Sequence, residues 1–328
     1  MAENPDGGLF PWPPIPEPDA RTDGSELERV ARHLLALDPS GERTAKAIRR
    51  SFDMLLDGQH TGRFRWEQLF KTEKTHAGTL VEINLQREFG FPGGRAMDYS
   101  VDGVDVDCKY SQDLGKWMIP PEAEGHLCLG LWASDMDGRW SAGLFRADLQ
   151  VLTAGGNRDH KRTLTAAGLR AVRWLHRDAA LPDNVLLRLP QAAIDAIFSH
   201  RHGTKRTDEL FRRAQGRLVS RTVVATVAQQ DDYMKRIRGS GGSRSALRPE
   251  GIVIFGQYSA HGELAAALGL PVPGPGESLS IRLAPAGARH AAAPRITLDG
   301  AQWVVAQPGD PVVPGPELPA PHGRDGDD

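Results

Sequence analysis

Apolar positions in the N-terminal part of the chain recur at helical spacing in three stretches. The first starts at Ser25, and the second runs from about Gly41 to Leu56. The third, from Thr79 to Phe89, repeats its apolar residues every four positions, which places them on one face of a helix. The pattern therefore predicts three amphipathic helices, and Glu82 lies beside the apolar stripe of the third.

After Gly103 the chain alternates between apolar and charged residues. The alternation makes two faces, an apolar one with Val104, Val106 and Cys108 and a charged one with Asp105, Asp107 and Lys109. This period of two predicts a half-buried strand, entered through a turn at Gly103, with its charged face outward. Asp98 lies upstream, where a hairpin or bend would return it beside Asp107.

Two further segments extend this strand into a sheet. The unbroken apolar run from His126 to Trp132 indicates a strand that is covered on both faces. Residues 140–145 follow a turn and predict another strand. Strands and helices together predict an α/β fold with a mixed central sheet flanked by helices.

The second half of the chain predicts a smaller α+β module. Its expected helices are residues 190–198, a segment capped by Thr207, and residues 231–238, which a Gly-rich loop follows. Residues 223–227 fit a strand or a helix, and strands are expected at residues 251–255 and 303–305. Two helices with a basic Gly-rich loop suggest a helix-turn-helix or winged module.

Proline content sets the expected domain boundaries. Six prolines in residues 1–24 indicate a disordered tail, and prolines with terminal acids indicate a second one at residues 307–328. Between them we expect a first domain over residues 25–176, a linker over residues 177–183 and a second domain over residues 184–306.

Composition is that of a soluble globular chain, since 40% of the 328 residues are hydrophobic and 25% are charged. We expect no signal peptide, because the N-terminus has no basic region followed by an apolar core. We expect no membrane partner, because no apolar run reaches the length of a span. The two cysteines make no disulfide framework, which favours a cytoplasmic location. The net charge is −2, yet residues 200–248 hold twelve Lys or Arg against four acids. Their net charge of +8 is typical of phosphate binding.

The charged face of the predicted strand suggests a reaction. Asp98 and Asp107 can hold a divalent cation through carboxylate oxygens. Lys109 follows about 7 Å along the strand, where it can orient a water or stabilise charge on a phosphate. An acid, a spacer and Asp-x-Lys make the motif of the PD-(D/E)xK nucleases. An edge strand with solvated charges explains the same residues, so both interpretations stay open.

Several residues are candidates for contacts with DNA. The polar loop at residues 155–161 could read base edges, or it is a plain turn. The basic segment could bind phosphates, or it is a solvated surface with no partner. The candidates are Lys116, Trp117, Asn157, Arg158, Asp159, Lys161, Arg217, Arg221, Lys235, Arg236, Arg238 and Arg244.

Segments 57–131 and 217–251 resemble the NaeI family of restriction endonucleases. The matching stretches are residues 57–59, 71–76, 78–88, 103–112, 117–122, 223–230, 233–236 and 244–247. The resemblance implies a restriction-endonuclease-like fold joined to a winged, CAP-like helix-turn-helix domain. It also implies that Glu82, Asp98, Asp107 and Lys109 are catalytic, with the three acids as ligands of Mg²⁺.

The same resemblance implies a type IIE enzyme. Such an enzyme is a homodimer that cuts double-stranded DNA, here at GCCGGC-like sites with blunt ends, and a second, effector copy of the site activates it. A cognate DNA methyltransferase is then expected in the same cell. Two alternatives stay open, a DNA-repair nickase of the same fold and a catalytically silent DNA-binding regulator.

Overall fold

The computed structural model describes residues 26–319. Its helices, in chain order, are α1 Glu26–Leu37, α2 Glu42–Leu56, α3 Gly58–Thr61, α4 Lys71–Thr75, α5 Ala77–Phe89, α6 Ala166–Arg170, α7 Gln191–Phe198, α8 Gly203–Arg213, α9 Arg221–Ala228, α10 Ser243–Leu247 and α11 Ser259–Ala267. Its strands are β1 Tyr99–Val101, β2 Val104–Ser111, β3 Leu127–Ser134, β4 Arg139–Arg146, β5 Arg173–Ala180, β6 Leu218–Ser220, β7 Ile252–Gly256, β8 Glu277–Pro285, β9 Arg295–Leu298 and β10 Ala301–Val305. Within this range no helix is long and apolar enough to cross a membrane. The tail predicted for residues 1–24 lies outside the described residues.

The chain divides into two compact units. Within the described range, the first holds residues 26–47, 81–134 and 139–180, and the second holds residues 48–80, 135–138 and 181–319. The division therefore differs from the predicted boundary after residue 176. Residues 48–80 belong to the second unit, and Phe64 of this segment lies in its core, where it stacks on Phe198 with ring centroids 5.8 Å apart. No local pattern reveals a partner so distant in sequence.

The predicted linker at residues 177–183 is wrong for its first four residues. Residues 177–180 end β5, and Ala179 and Ala180 pair with Trp140 and Arg139 of β4. β5 is the last strand of its sheet, and most of its residues are only partly buried. An edge strand of this kind lacks the apolar run that marks a central strand, which explains the error.

The first unit is built on a five-stranded sheet with the order β1-β2-β3-β4-β5. β2 and β3 run parallel, and the other pairs are antiparallel. Residues 127–131 of β3 are all buried, which confirms the prediction of a strand covered on both faces. Gly130 permits a close approach, because a Cβ at this position would lie 2.7 Å from the Trp117 ring. This sheet holds the candidate site.

The second unit combines a helical core with a second sheet. β8 pairs with β6, β7 and β10, all antiparallel. Residues 223–227 belong to helix α9, whose N-cap Ser220 accepts a hydrogen bond from the backbone N–H of Val223 at 3.3 Å. The predicted cap at Thr207 is wrong, because α8 begins at Gly203. The buried Thr207 hydroxyl lies inside that helix and donates to the Gly203 carbonyl at 2.8 Å.

The tail predicted for residues 307–328 is wrong for residues 307–319, which pack on the second unit. Residues 311–319 form neither helix nor strand, and we call them the C-terminal strap. The backbone N–H of Gly315 donates to the Arg248 carbonyl at 2.8 Å. Just before the strap, Asp310 is buried and accepts a hydrogen bond from the backbone N–H of Gln307 at 2.7 Å. Prolines cannot donate such bonds, but their carbonyls accept them, so a Pro-rich segment can be held by its neighbours.

Candidate active site

A tight hairpin brings Asp98 back beside Asp107. Asp102 and Gly103 form its turn with φ values of 51° and 76°, a combination that suits a two-residue hairpin loop. Tyr99 then pairs with Val106, which sets the preceding Asp98 level with Asp107. The Asp98 Oδ2 atom accepts a hydrogen bond from the backbone N–H of Cys108 at 2.7 Å. The prediction that the chain returns Asp98 to this strand is confirmed.

Lys109 bridges the two acids. Its Nζ atom lies 2.7 Å from Asp107 Oδ1 and 3.9 Å from Asp98 Oδ2. The Asp107 side chain is only 7% exposed. Because β2 pairs with both β1 and β3, the edge-strand alternative is wrong. On the charged face Asp107 is buried, while Asp105 and Lys109 are partly buried. A buried carboxylate needs such a cationic partner to stay charged.

Glu82 approaches the same cluster from helix α5. Burial raises the pKa of its carboxyl, and the negative charges of Asp98 and Asp107 raise it further. The helix is tied to the hairpin by the buried Tyr99, whose hydroxyl donates to the Glu82 carbonyl at 2.7 Å. The structure therefore brings together the four residues that sequence reasoning named, from one helix and one hairpin.

The charges of the cluster do not balance. Burial raises the pKa of Asp107, and Asp98 adds to this, although the hydrogen bond from Lys109 opposes it. Burial alone would lower the pKa of Lys109, but the hydrogen bond and charge of Asp107 raise it above its usual value. Lys109 is therefore an ammonium at neutral pH. One ammonium stands against three carboxyls, which leaves an electrostatic deficit that a cation would fill.

The oxygen donors suit a divalent cation of the Mg²⁺ type. Within residues 26–319 no three His, Cys, Asp or Glu side chains already form a metal cage. Mg²⁺ does not require one, because it usually binds through one or two carboxylates together with substrate phosphates and water. Asp98 and Asp107 supply such a carboxylate pair, and Lys109 leaves neither of them fully compensated.

Two buried residues that touch the cluster were missed by sequence reasoning. Cys128 pairs with Asp107 across the parallel β2–β3 ladder, and its Sγ atom lies 3.8 Å from Asp107 Oδ2. Burial raises the pKa of this thiol, so it remains protonated and can donate to the carboxylate. Tyr99 is the other missed residue. Its hydroxyl contact depends on the packing of α5, and the Cys128 contact depends on the register of two strands, so neither has a local signal.

Among the DNA-contact candidates of the first unit, Trp117 is wrong. It is fully buried, stacks on Phe145 with ring centroids 5.5 Å apart, and donates through Nε1 to the Leu131 carbonyl at 2.7 Å. Lys116, its neighbour, is exposed, as are Arg158 and Asp159.

The loop at residues 155–161 holds its own shape. The Asn157 side-chain oxygen accepts from the backbone N–H groups of Asp159 and Lys161 at 3.0 and 2.9 Å. The Asn157 acceptor therefore serves the turn, and the exposed neighbours Arg158 and Asp159 are better placed to meet a partner.

The basic candidates of the second unit fall into two groups, those without an ion pair in the described part of the chain and those that already have a partner there. Arg217, Arg221 and Arg238 are exposed and form no ion pair within residues 26–319. Lys235 and Arg236 share Asp232 at 3.5 and 2.6 Å. Arg244 is partly buried and donates through Nε to the Ile254 carbonyl at 3.0 Å. The high positive charge of the segment is thus only partly available to a ligand.

Comparison with known proteins gives the family. The family profile described as "Restriction endonuclease NaeI" matches residues 28–314. The type II restriction enzyme NaeI of Lentzea aerocolonigenes is 50% identical over 312 residues, a match that covers 92% of this chain and 96% of the relative. The chain belongs to the NaeI restriction endonuclease family, and its class is that of a type II restriction enzyme, a site-specific deoxyribonuclease.

Proposed function

We propose that the chain cuts both strands of DNA in a Mg²⁺-dependent hydrolysis carried by Glu82, Asp98, Asp107 and Lys109. The observation that supports this most is the bridging position of Lys109, 2.7 Å from one carboxylate and 3.9 Å from the other. Asp98 and Asp107, with Glu82, would hold Mg²⁺. When bound there, Mg²⁺ polarises the scissile phosphate and lowers the pKa of water.

The side chains of Lys109 and Glu82 would have separate roles in the hydrolysis. In hydrolysis a water oxygen bonds to phosphorus, and the bond from phosphorus to the 3′ oxygen breaks, which leaves a 5′ phosphate and a 3′ hydroxyl. The charged Lys109 donates hydrogen bonds and stabilises negative charge on the phosphate, and as an ammonium it cannot be the base. Glu82 approaches the same cluster from α5 and is our candidate to accept the proton of the water.

The second unit is proposed to bind the effector DNA through a winged helix-turn-helix. Helix α8, strand β6, helices α9 and α10 and strands β7 and β8 follow one another in the chain, with α11 inserted before β8. β8 pairs with both β6 and β7. This arrangement is typical of winged modules, and the exposed Arg217, Arg221 and Arg238 supply cations for phosphates.

The remaining proposals follow the family. We infer a cytoplasmic homodimer that acts on GCCGGC-like sites with blunt ends and is accompanied by a cognate methyltransferase. Second-site activation is the regulatory part of the proposal.

A plasmid digest tests the proposal. Purified chain with Mg²⁺ should convert supercoiled plasmid to linear DNA, and the same digest with EDTA should leave it intact. Open-circular DNA that never becomes linear would assign a nickase instead. Intact plasmid in Mg²⁺, under conditions where the chain binds DNA, would assign a silent regulator.

A further inference from the structure

The second unit contains a cavity of 810 Å³ between its basic segment and the C-terminal strap. Arg238, Arg244 and Arg248 line it, together with the rings of Tyr258 and His261 and several strap residues. We call it the arginine cavity. Three guanidinium groups around one cavity favour an anionic occupant.

Arg244 gives this preference a specific origin. Its guanidinium is partly buried and forms no ion pair with a carboxylate within residues 26–319. Burial lowers the pKa of Arg244, as expected for a cation that has lost water without gaining a counter-ion. His261 adds no second charge, because its Nδ1 atom accepts from the Gly256 N–H at 3.0 Å and its Nε2 atom faces the Pro319 carbonyl at 3.0 Å.

An acid of the chain itself stands at the cavity. Glu317, from the strap, lies among the lining residues and forms an ion pair with Arg248 at 2.5 Å. Both side chains remain accessible, with exposed fractions of 70% for Glu317 and 44% for Arg248. An exposed pair of this kind contributes little net stability and can be exchanged for another anion.

The strap does not depend on Glu317 for its attachment. Before the strap, Asp310 is held by the buried His290 at 3.1 Å and by Arg289 at 3.2 Å. Arg248 also donates through Nε to the Gly315 carbonyl at 2.9 Å. The Glu317 side chain can therefore swing away from Arg248 while the strap backbone stays in place.

We propose that the arginine cavity binds a backbone phosphate of DNA, and that Glu317 occupies Arg248 as a built-in competitor for that phosphate. The inference rests on the proposed role of the second unit as a DNA-binding module. A backbone phosphate of DNA carries one negative charge, as a carboxylate does, and it likewise offers a pair of oxygens to a guanidinium. DNA must then displace Glu317 from Arg248 when it binds. This cost weakens DNA binding and limits it to duplexes that make enough other contacts.

The test compares Glu317→Gln with Glu263→Gln, in the full chain and without Mg²⁺. Glu263 is an exposed acid on α11 that lies outside the cavity lining, so both variants change the net charge equally. The affinity for a GCCGGC duplex is measured by fluorescence anisotropy at several salt concentrations. We expect Glu317→Gln to bind about two- to fivefold more tightly than Glu263→Gln at low salt, and the advantage should shrink as salt rises.

A second background isolates the pair. When Arg248→Gln is also present, the advantage of Glu317→Gln over Glu263→Gln should vanish, because the cation for which they compete is gone. Equal affinities of the two single variants, or an advantage that survives Arg248→Gln, would overturn the proposal. When inorganic phosphate is added at matched ionic strength, Glu317→Gln should still bind DNA more tightly than Glu263→Gln. If this difference disappears only in the presence of phosphate, the cavity is assigned to free phosphate instead.

The outcome is separable from the proposed function. If the chain cuts plasmid but the two variants bind DNA with equal affinity, the nuclease assignment stands and only the proposal for the arginine cavity fails. Failure to bind DNA at all would contradict the DNA-binding role of the second unit first.

Discussion

At the scale of single residues, the candidate site is held in a state of unbalanced charge. Three carboxyls meet one ammonium, and two of the carboxyls, Glu82 and Asp107, have pKa values raised by burial and by their neighbours. Lys109 compensates the charge of Asp107 in part through a 2.7 Å contact, but Glu82 has no comparable contact within the described residues. Such strain within a cluster of titratable groups is typical of a functional site rather than of a structural one.

The raised pKa of Glu82 predicts how the free energy of unfolding changes with pH. Between the ordinary carboxyl pKa of about 4.3 and the raised value in the folded chain, the folded state binds more protons than the unfolded state. The free energy of unfolding therefore falls as pH rises through this window. Glu82→Gln removes the titration and should raise the melting temperature of the metal-free chain at about pH 8, with a shallower fall between acid and neutral pH. Scanning calorimetry in EDTA measures this, and a variant that is less stable than wild type at about pH 8 would contradict the charge imbalance.

The site residues predicted from the sequence lie close together in the chain, whereas the contacts that were missed join segments that are distant in the chain. Asp98, Asp107 and Lys109 lie within one hairpin, and the period of two with a Gly turn was enough to place them. Trp117 was a candidate for DNA contact, but its burial is decided by Phe145 and Gly130, which are distant in the chain. The contact of Cys128 with Asp107 likewise depends on strand register.

At the scale of elements, the site depends on how α5 is attached to the β1–β2 hairpin. The hairpin carries two acids and the lysine, while the helix carries Glu82. The Tyr99 hydroxyl joins them through its 2.7 Å bond to the Glu82 carbonyl, and the tyrosine is fully buried. We propose that Tyr99 is a positioning residue, because its hydroxyl contacts the backbone of Glu82.

Tyr99→Phe should loosen this attachment without opening a cavity. We expect a loss of about 1 kcal/mol in the free energy of unfolding and a fall of about tenfold or more in the cleavage rate at saturating DNA. DNA affinity should be unchanged. Tyr233→Phe makes the same chemical change at a half-buried residue of the second unit and should leave the rate as in wild type. Equal rates for both variants would show that the hydroxyl does not position Glu82.

The strap shows where element prediction fails. Its prolines and acids are those of a disordered tail, and the sequence contains no alternation or helical period there. Its position follows from side chains elsewhere, such as Arg248 and His261, that bind its carbonyl groups. The end of strand β5 at residues 177–180 was not predicted for a similar reason, because its pairing partners lie in β4.

At the scale of the whole molecule, the chain consists of two compact units with different chemistry. The acids and Lys109 lie in the first, while the basic segment and the arginine cavity lie in the second. A second unit that gripped the same duplex as the first would raise affinity but would leave the rate independent of the number of sites. A second unit that grips another duplex couples the two sites, typically by about 1–3 kcal/mol.

Plasmids with one and with two copies of the site distinguish these cases. We expect slow cutting of the one-site plasmid, faster cutting of the two-site plasmid by roughly five- to 150-fold, and rescue of the former by a short cognate oligonucleotide. Initial rates in Mg²⁺ provide the comparison. Equal rates on both plasmids, with no response to the oligonucleotide, would show that the second unit only anchors the enzyme.

The central claim is that the cluster around Lys109 performs the hydrolysis, and the most direct test is the single-turnover cleavage rate of Lys109→Ala. The control is Lys46→Ala, which removes an exposed lysine of α2 that pairs with Glu42 in the same unit. We expect Lys109→Ala to cut about 100-fold or more slowly while binding DNA as tightly as wild type, and Lys46→Ala to cut normally. Cleavage by Lys109→Ala at the wild-type rate would contradict the account.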